Sequence, residues 1–145
     1  MRRKPVRVAV GSLIWKDGKI ALIKRAGKYG ADTWAPPGGQ IEFGESATQA
    51  ASRETMEEIG VQIKNMVVLG LTEDFVPEWD THYITIWVQS DWASGELKSV
   101  DVEFTRSGFF DKGDLPNPLF ISFKNLVAGN LLPFRSDFHS FQKIA

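Results

Sequence analysis

Between Pro36 and Val61 the chain reads PPGGQIEFGESATQAASRETMEEIGV and carries five glutamates, Glu42, Glu45, Glu54, Glu57 and Glu58, against one arginine, Arg53. Wound as a helix at about 100° per residue, Ala47, Ala51, Thr55 and Ile59 fall on one stripe, with Ala50 at its edge. Glu54 and Glu58 fall beside Ala47 and Ala51, and Glu57 next to Ala50, so the carboxylates share the small-residue side of the helix. Like charges four residues apart cost a helix a few tenths of a kcal/mol, and placing them beside a buried face adds desolvation. A divalent cation relieves both. Hard oxygen donors at this density suit Mg²⁺ or Mn²⁺, which keep waters and accept phosphate oxygens as further ligands. The alternative is a solvated acidic face with an Arg53–Glu57 pair. The preceding loop argues for the cation: Gly38-Gly39 allows close backbone approach to a ligand, just ahead of a helix N-terminus, where phosphate is favoured.

The flanking sequence supplies the elements that must hold this helix. Val6–Trp15 and Lys19–Arg25 are rich in β-formers, and Asp17-Gly18 between them is a two-residue hairpin signal. Gly and Pro make the stretch up to Gly39 a loop. Ser46 opens the helix, with Gln49 three residues on as a capping box requires, and Gly60 fits the position past its end. KNMVVLGLTE (64–73) reads as a strand. HYITIWVQS (82–90) reads as another, apolar on both faces and so buried on both. SGFFD (107–111) is a short strand. NPLFISFKNLVAGN (117–130) reads as a second helix, capped by Asn117 before Pro118 and ended at Gly129. Strands, helix, strands, helix, without regular alternation, predict a mixed sheet covered by helices.

With these residues placed, the chain resembles the Nudix hydrolases. Their signature runs Gly, five residues, Glu, seven residues, Arg-Glu, an apolar residue, any residue, Glu-Glu, any residue, Gly, apolar. Here it is met by Gly39, Glu45, Arg53, Glu54, Glu57, Glu58, Gly60 and Val61. Thr55 stands where the pattern has an aliphatic residue; its shape is close to Val, so the departure concerns packing. The hairpin, TWAPPGG and GFFDKGDLP extend the likeness from about Val6 to Leu132. The resemblance implies one Nudix domain over residues 1–145, folded as an α/β/α sandwich around a mixed β-sheet, that cleaves a nucleoside diphosphate linked to a further group.

Carried over by position, Glu54, Glu57 and Glu58 would hold the metal with the Gly38 carbonyl, Arg53 would orient a carboxylate, and Glu45 would brace the loop or touch an outer water. A further Glu outside the motif often serves as ligand or base. Glu103 is the candidate and Glu96 its competitor. The implied chemistry is in-line attack on phosphorus by a water whose proton passes to Glu54 or Glu103, with metal ions neutralising the phosphate oxygens. The chain looks most like the small nucleoside triphosphate diphosphatases, which release a nucleoside monophosphate and pyrophosphate. Alternatives are an ADP-ribose or nucleotide-sugar pyrophosphatase and a non-catalytic ligand-binding module. Gly38 and Gly39 would approach the substrate, Trp34 or Trp79 would stack a base, and Arg25, Lys24 or Lys28 would reach phosphates. For Tyr83 and Trp87, in a strand expected to be buried, core packing is the favoured role. His82 and His139 are not expected as ligands, since hard acidic sites seldom need imidazole.

Composition narrows the partners. The chain has 145 residues, 43% hydrophobic, enough for one cored domain. A net charge of −1 offers no basic path for a nucleic acid polymer or an acidic membrane. The absence of cysteine removes disulfides and thiolate chemistry and is compatible with a cytoplasmic home. No apolar run reaches the roughly 18 residues of a membrane span. A homodimer is plausible by resemblance.

Overall fold

The computed structural model describes residues 3–98 and 104–134. Its strands are β1 (Arg7–Lys16), β2 (Lys19–Arg25), β3 (Trp34–Ala35), β4 (Gly38–Gln40), β5 (Gln62–Val76), β6 (Thr81–Ser94), β7 (Phe104–Asp111) and β8 (Leu132–Pro133), with helices α1 (Ala47–Ile59) and α2 (Ile121–Val127). The turn joining β1 to β2 has positive φ at both Asp17 (51°) and Gly18 (78°), the geometry that matches the twist of a hairpin. β1 and β2 pair at Trp15↔Ile20 and Lys16↔Lys19. β2 goes on to pair with β3, and β1 with β4, so these two short strands occupy the opening between them. The other edge of β1 runs parallel to β6, the one parallel pairing among the described strands. β6 is antiparallel to β5, and β8 closes that side. β7 lies along β2.

The mixed sheet with helices packed around it is the class expected, and each helix owns one face. Leu13, Ile20, Leu22, Trp34 and Trp87 pack with Phe123 of α2. Ile14, Ala21, Ile23 and Val61 pack with Ile59 of α1. Neighbours in sequence such as Leu13 and Ile14 thus join opposite layers, as the two-residue period of a strand requires. β6 sits between β1 and β5, which explains why nothing from His82 to Ser90 is exposed.

The second helix is shorter than its sequence suggests. It starts after Phe120, which is extended (ψ 146°), and Asn117 does not cap it. Residues 118–120 are held instead as a strand-like bridge: Trp34 N donates to Pro118 O (2.9 Å) and Phe120 N donates to Trp34 O (2.8 Å). Those long-range backbone bonds outweigh the local preference for Pro at the first turn. Gly129, with φ 88°, still lies just past the end of α2.

Candidate active site

The acidic helix is built as a rigid shelf. Ser46 accepts from Gln49 N while the Gln49 side chain accepts from Ser46 N, and Gly60 closes the other end at φ 70°. Ala50, Ala51, Thr55 and Ile59 are buried against the sheet. Thr55, the departure from the signature, meets the Ser12 hydroxyl of β1 at 2.9 Å. A fully buried hydroxyl is tolerated there because it has a partner.

Arg53 organises the acids around it. Its Nε donates to Glu45 Oε2 (2.7 Å) and its Nη2 to Glu45 Oε1 (2.9 Å), a two-pronged clamp. Nη1 donates to Glu54 Oε1 (2.8 Å) and Glu57 Oε2 (3.2 Å), and Nη2 also reaches the Gln40 carbonyl (3.2 Å). Glu45 in turn accepts from Glu42 N (3.1 Å), which ties the loop to the helix. The Arg53 hydrogen bonds, with that loop amide, hold the Glu45 carboxyl down at about 2, and Glu45 and Glu54 raise the guanidinium further above its already high value.

Glu58 has the opposite environment. It is 5% exposed and accepts from Gly38 N (3.1 Å). Burial, then a hydrogen bond and repulsion from Glu54, push its carboxyl far above the usual range; the Gly38 amide and the Arg25 charge oppose this without cancelling it. Glu54 and Glu58 thus crowd each other, and Glu58 is the one held toward its neutral form. Glycine makes room on both sides: a Cβ on Gly39 would lie 2.6 Å from Glu54 Oε1, and one on Gly38, where β4 closes on β1, would lie 2.2 Å from the Val10 carbonyl. Hard oxygens facing each other at low exposure fit a divalent cation, which would relieve the same crowding of acids. Glu57, with its side chain 58% exposed, turns to Arg53. No three acidic or imidazole side chains among the described residues converge on one point. The Glu54–Glu58 pair is thus already assembled, while Glu57 stays exposed on Arg53.

These acids stand at one end of a cavity of about 720 Å³. Its floor is one face of the sheet, and the register gives it row by row. Gly38, Gly11 and Trp87 lie abreast, then Gln40, Ala9 and Thr85, then Arg7, Tyr83 and Asp74, then Thr81 and Val76. A Cβ on Gly11 would sit 2.2 Å from the Trp87 ring, so glycine there lets the indole lie flat. Trp87 Nε1 donates to Thr72 Oγ1 (3.0 Å), and Thr72 donates to Asp74 Oδ2 (3.2 Å). Thr85 also donates to Oδ2, and Asn125 of α2 donates to Oδ1 (2.9 Å). The far wall is aromatic: Trp79 lies 5.5 Å from Tyr29 and 6.0 Å from Phe120, and the Arg25 guanidinium sits 4.3 Å over the Phe120 ring.

Of the residues singled out from the sequence, Gly38, Gly39, Arg25, Arg53, Glu54, Glu57, Glu58 and Trp79 line this cavity. Glu45 stands behind them on Arg53. Trp34 does not line it; it is 8% exposed in the core, edge-on to Phe110 at 5.1 Å, because its backbone bridges β2 and the segment before α2. Trp87, expected to be core, is buried and also forms the floor, whereas Tyr83, expected there too, is half-buried and lines the cavity. His82 packs against Phe75 instead, and Glu96 is exposed. Glu103 and His139 lie outside the described residues. Sequence reasoning missed Asp74, Thr85, Tyr29, Phe120 and Arg7. The signal for Asp74 was its phase: in GLTEDFV, Thr72 and Asp74 alternate with Gly70 and Val76 on the buried side, while Phe75 is 63% exposed. A strand with polar residues inward and phenylalanine outward is marking a polar cavity.

A family model for the NUDIX domain matches residues 5–127. An ADP-ribose pyrophosphatase of Methanocaldococcus jannaschii is 39% identical over 115 residues, 78% of this chain and 66% of that protein. An RNA pyrophosphohydrolase of Escherichia fergusonii is 35% identical over 96 residues, 61% of this chain and 53% of that protein. The chain thus spans less than two thirds of the length of these two relatives. A crystal structure of a MutT NUDIX hydrolase from Burkholderia pseudomallei has a TM-score of 0.81 at 28% identity, covering 86% of this chain and 98% of that one. No helix among the described residues is long and apolar enough to cross a membrane.

Proposed function

This chain belongs to the Nudix family, and from that premise we propose that it hydrolyses a nucleoside triphosphate to the nucleoside monophosphate and pyrophosphate, with Mg²⁺ or Mn²⁺ held by Glu54, Glu58 and Glu57. The observation that carries the reading is the Glu54–Glu58 pair, buried on the glycine backbone at one end of a nucleotide-sized cavity. Bound there, the cation would supply charge neutralisation on the phosphoryl oxygens and lower the pKa of a water.

The chain's own residues do the rest. Gly38 and Gly39 let the phosphates approach the backbone, and Arg53 fixes the Glu54 carboxylate by a 2.8 Å bond so that its position is set before substrate arrives. Glu54, or Glu103, takes the proton of the attacking water. The water oxygen bonds to phosphorus, the bridging P–O bond of the α–β linkage breaks, and pyrophosphate leaves. Arg25, beside the aromatic wall and within electrostatic reach of Glu58, is suited to the phosphate chain between them. Trp79 is suited to stack the base.

The 39% identity to a protein named an ADP-ribose pyrophosphatase favours a second reading, cleavage of ADP-ribose or a nucleotide sugar. Deoxynucleoside and nucleoside triphosphates, ADP-ribose and 5′-triphosphate RNA at equal concentration, with Mg²⁺ and with chelator, decide between them. Release of pyrophosphate from triphosphates, abolished by chelation, supports the first reading. Preference for ADP-ribose selects the second. Turnover unaffected by chelation defeats both.

A further inference from the structure

At the end of the cavity away from the helix carboxylates lies another buried acid that the hydrolysis does not use. Asp74 is 1% exposed. Its neighbours are neutral donors: Thr72 and Thr85 on Oδ2, Asn125 on Oδ1. A carboxylate offers about four acceptor positions; three are filled, which leaves one on Oδ1. Thr85, whose proton goes to Asp74, brings a second oxygen to the same wall with lone pairs to spare. In the next row, Thr81 Oγ1 is a buried hydroxyl without a hydrogen-bond partner among the described residues, also in the cavity wall. Buried polar atoms are rarely left unpaired. This end of the cavity therefore presents two acceptors with no proton to give, on Asp74 and Thr85, and one hydroxyl, on Thr81, able to accept or donate, beside the aromatic surfaces of Trp79, Tyr83 and Phe120.

We propose that Asp74 is a specificity-determining residue that selects a nucleobase presenting adjacent N–H donors on one edge, which among the common bases is guanine. Adenine and cytosine present one amino group next to a ring-nitrogen acceptor, and uracil presents one N–H between two carbonyls. Each would set an acceptor against the Asp74 and Thr85 oxygens, neither of which has a proton left to give. Guanine presents its ring N–H and amino group side by side. The inference rests on the nucleotide reading above and adds the base.

The test measures binding of GMP, IMP and AMP by calorimetry to the intact protein, independently of turnover. IMP keeps the ring N–H and lacks the amino group. GMP is expected to bind about 10-fold or more tighter than AMP, with IMP between, the difference a hydrogen bond to a charged group makes. In Asp74→Asn the advantage of GMP is expected to shrink to about 3-fold or less while the variant keeps its fold. Equal affinity of the wild type for all three, including none for any, overturns the proposal without any variant. Uniform weakening of all three in Asp74→Asn also overturns it, since that is what a merely structural carboxylate would give. If GMP is preferred but no triphosphate is cleaved, the base assignment stands and the hydrolytic reading falls.

Discussion

Two buried acids divide the cavity, and their surroundings differ in kind. Glu58 faces another carboxyl, Glu54, and the Gly38 amide and the Arg25 charge only partly offset this. Asp74 faces two threonines and an asparagine, all donating. Burial penalises charge at both places, yet only at Glu58 do the surrounding donors fail to offset it. A carboxyl that lacks donors keeps a proton or takes a cation. One that is given donors stays in place as a fixed acceptor. The same residue chemistry thus suits one end of the cavity to the proposed cation and the other to the proposed recognition of a base.

The largest effect should come from removing the Glu58 carboxyl. Glu58→Gln can still accept from Gly38 N and can donate to Glu54, so the fold should survive. Turnover should fall by about 10³-fold or more, because phosphoryl charge is no longer neutralised there, and Glu57→Gln should fall similarly. Thermal melting should separate the variants from misfolding: wild type should gain stability on adding Mg²⁺, and Glu58→Gln should gain much less while melting no lower without metal. Near-native turnover in either variant would remove the metal assignment.

The same carboxyl has a pH signature. The folded state holds the Glu58 proton above the ordinary carboxylate range, so between about pH 4.5 and neutrality it binds more protons than the unfolded chain. Its contribution is therefore full below about pH 4.5 and is lost as pH rises, by up to about 1.4 kcal/mol per unit. Glu45, held at about 2, works the other way: its contribution is present above about pH 4.5 and is lost as pH falls toward 2. Melting of metal-free protein across pH 3–8 should show a maximum in mild acid, and Mg²⁺ should flatten the alkaline side. A stability that climbs steadily to pH 8 without metal would contradict the proton held on Glu58.

Next in size are the glycines under the helix end. Gly39→Ala puts a Cβ 2.6 Å from Glu54 Oε1. The end of a flexible side chain moves easily, so stability should hold while turnover drops about 10- to 100-fold through misplacement. Gly38→Ala instead meets the Val10 backbone at 2.2 Å. It should cost about 1–3 kcal/mol of stability by forcing β4 off β1, read as a fall in the denaturation midpoint. Equal stability loss in the two variants would show that Glu54 is not free to give way.

How much could be read from the sequence follows the same division. The helix end is local: cap, small-residue stripe, glycines and acids lie within one short stretch, and their spacing is set by the helix itself. The recognition end is assembled by register between strands far apart in the chain, and a slip of one residue would turn Asp74 outward and Phe75 inward. No spacing rule announces which phase is buried. The polar run Thr72-x-Asp74 opposite Thr85 shows it only once β5 and β6 are paired. Trp34 and the start of α2 were misjudged for a related reason. Local preference favoured a loop aromatic at the site and a helix from Pro118, whereas the backbone bridge between residues 34 and 118–120 buries the one and delays the other.

The smallest effect is also the sharpest test of the contrast. Asn125→Asp is nearly isosteric and replaces the one amide donor to Asp74 with a second acid, so it copies the Glu54–Glu58 arrangement into the recognition end. One of the two carboxyls must then keep a proton or repel its neighbour, and here no glycine backbone opens room for a cation. The variant should match the wild type near pH 4.5 and lose about 1–2 kcal/mol by pH 7.5, a melting point lower by several degrees. Mg²⁺ should not restore the difference, although it stabilises the helix end of the same molecule. If Mg²⁺ does restore it, two facing acids suffice to bind the cation anywhere in this cavity, and the glycine cradle is not what distinguishes its two ends.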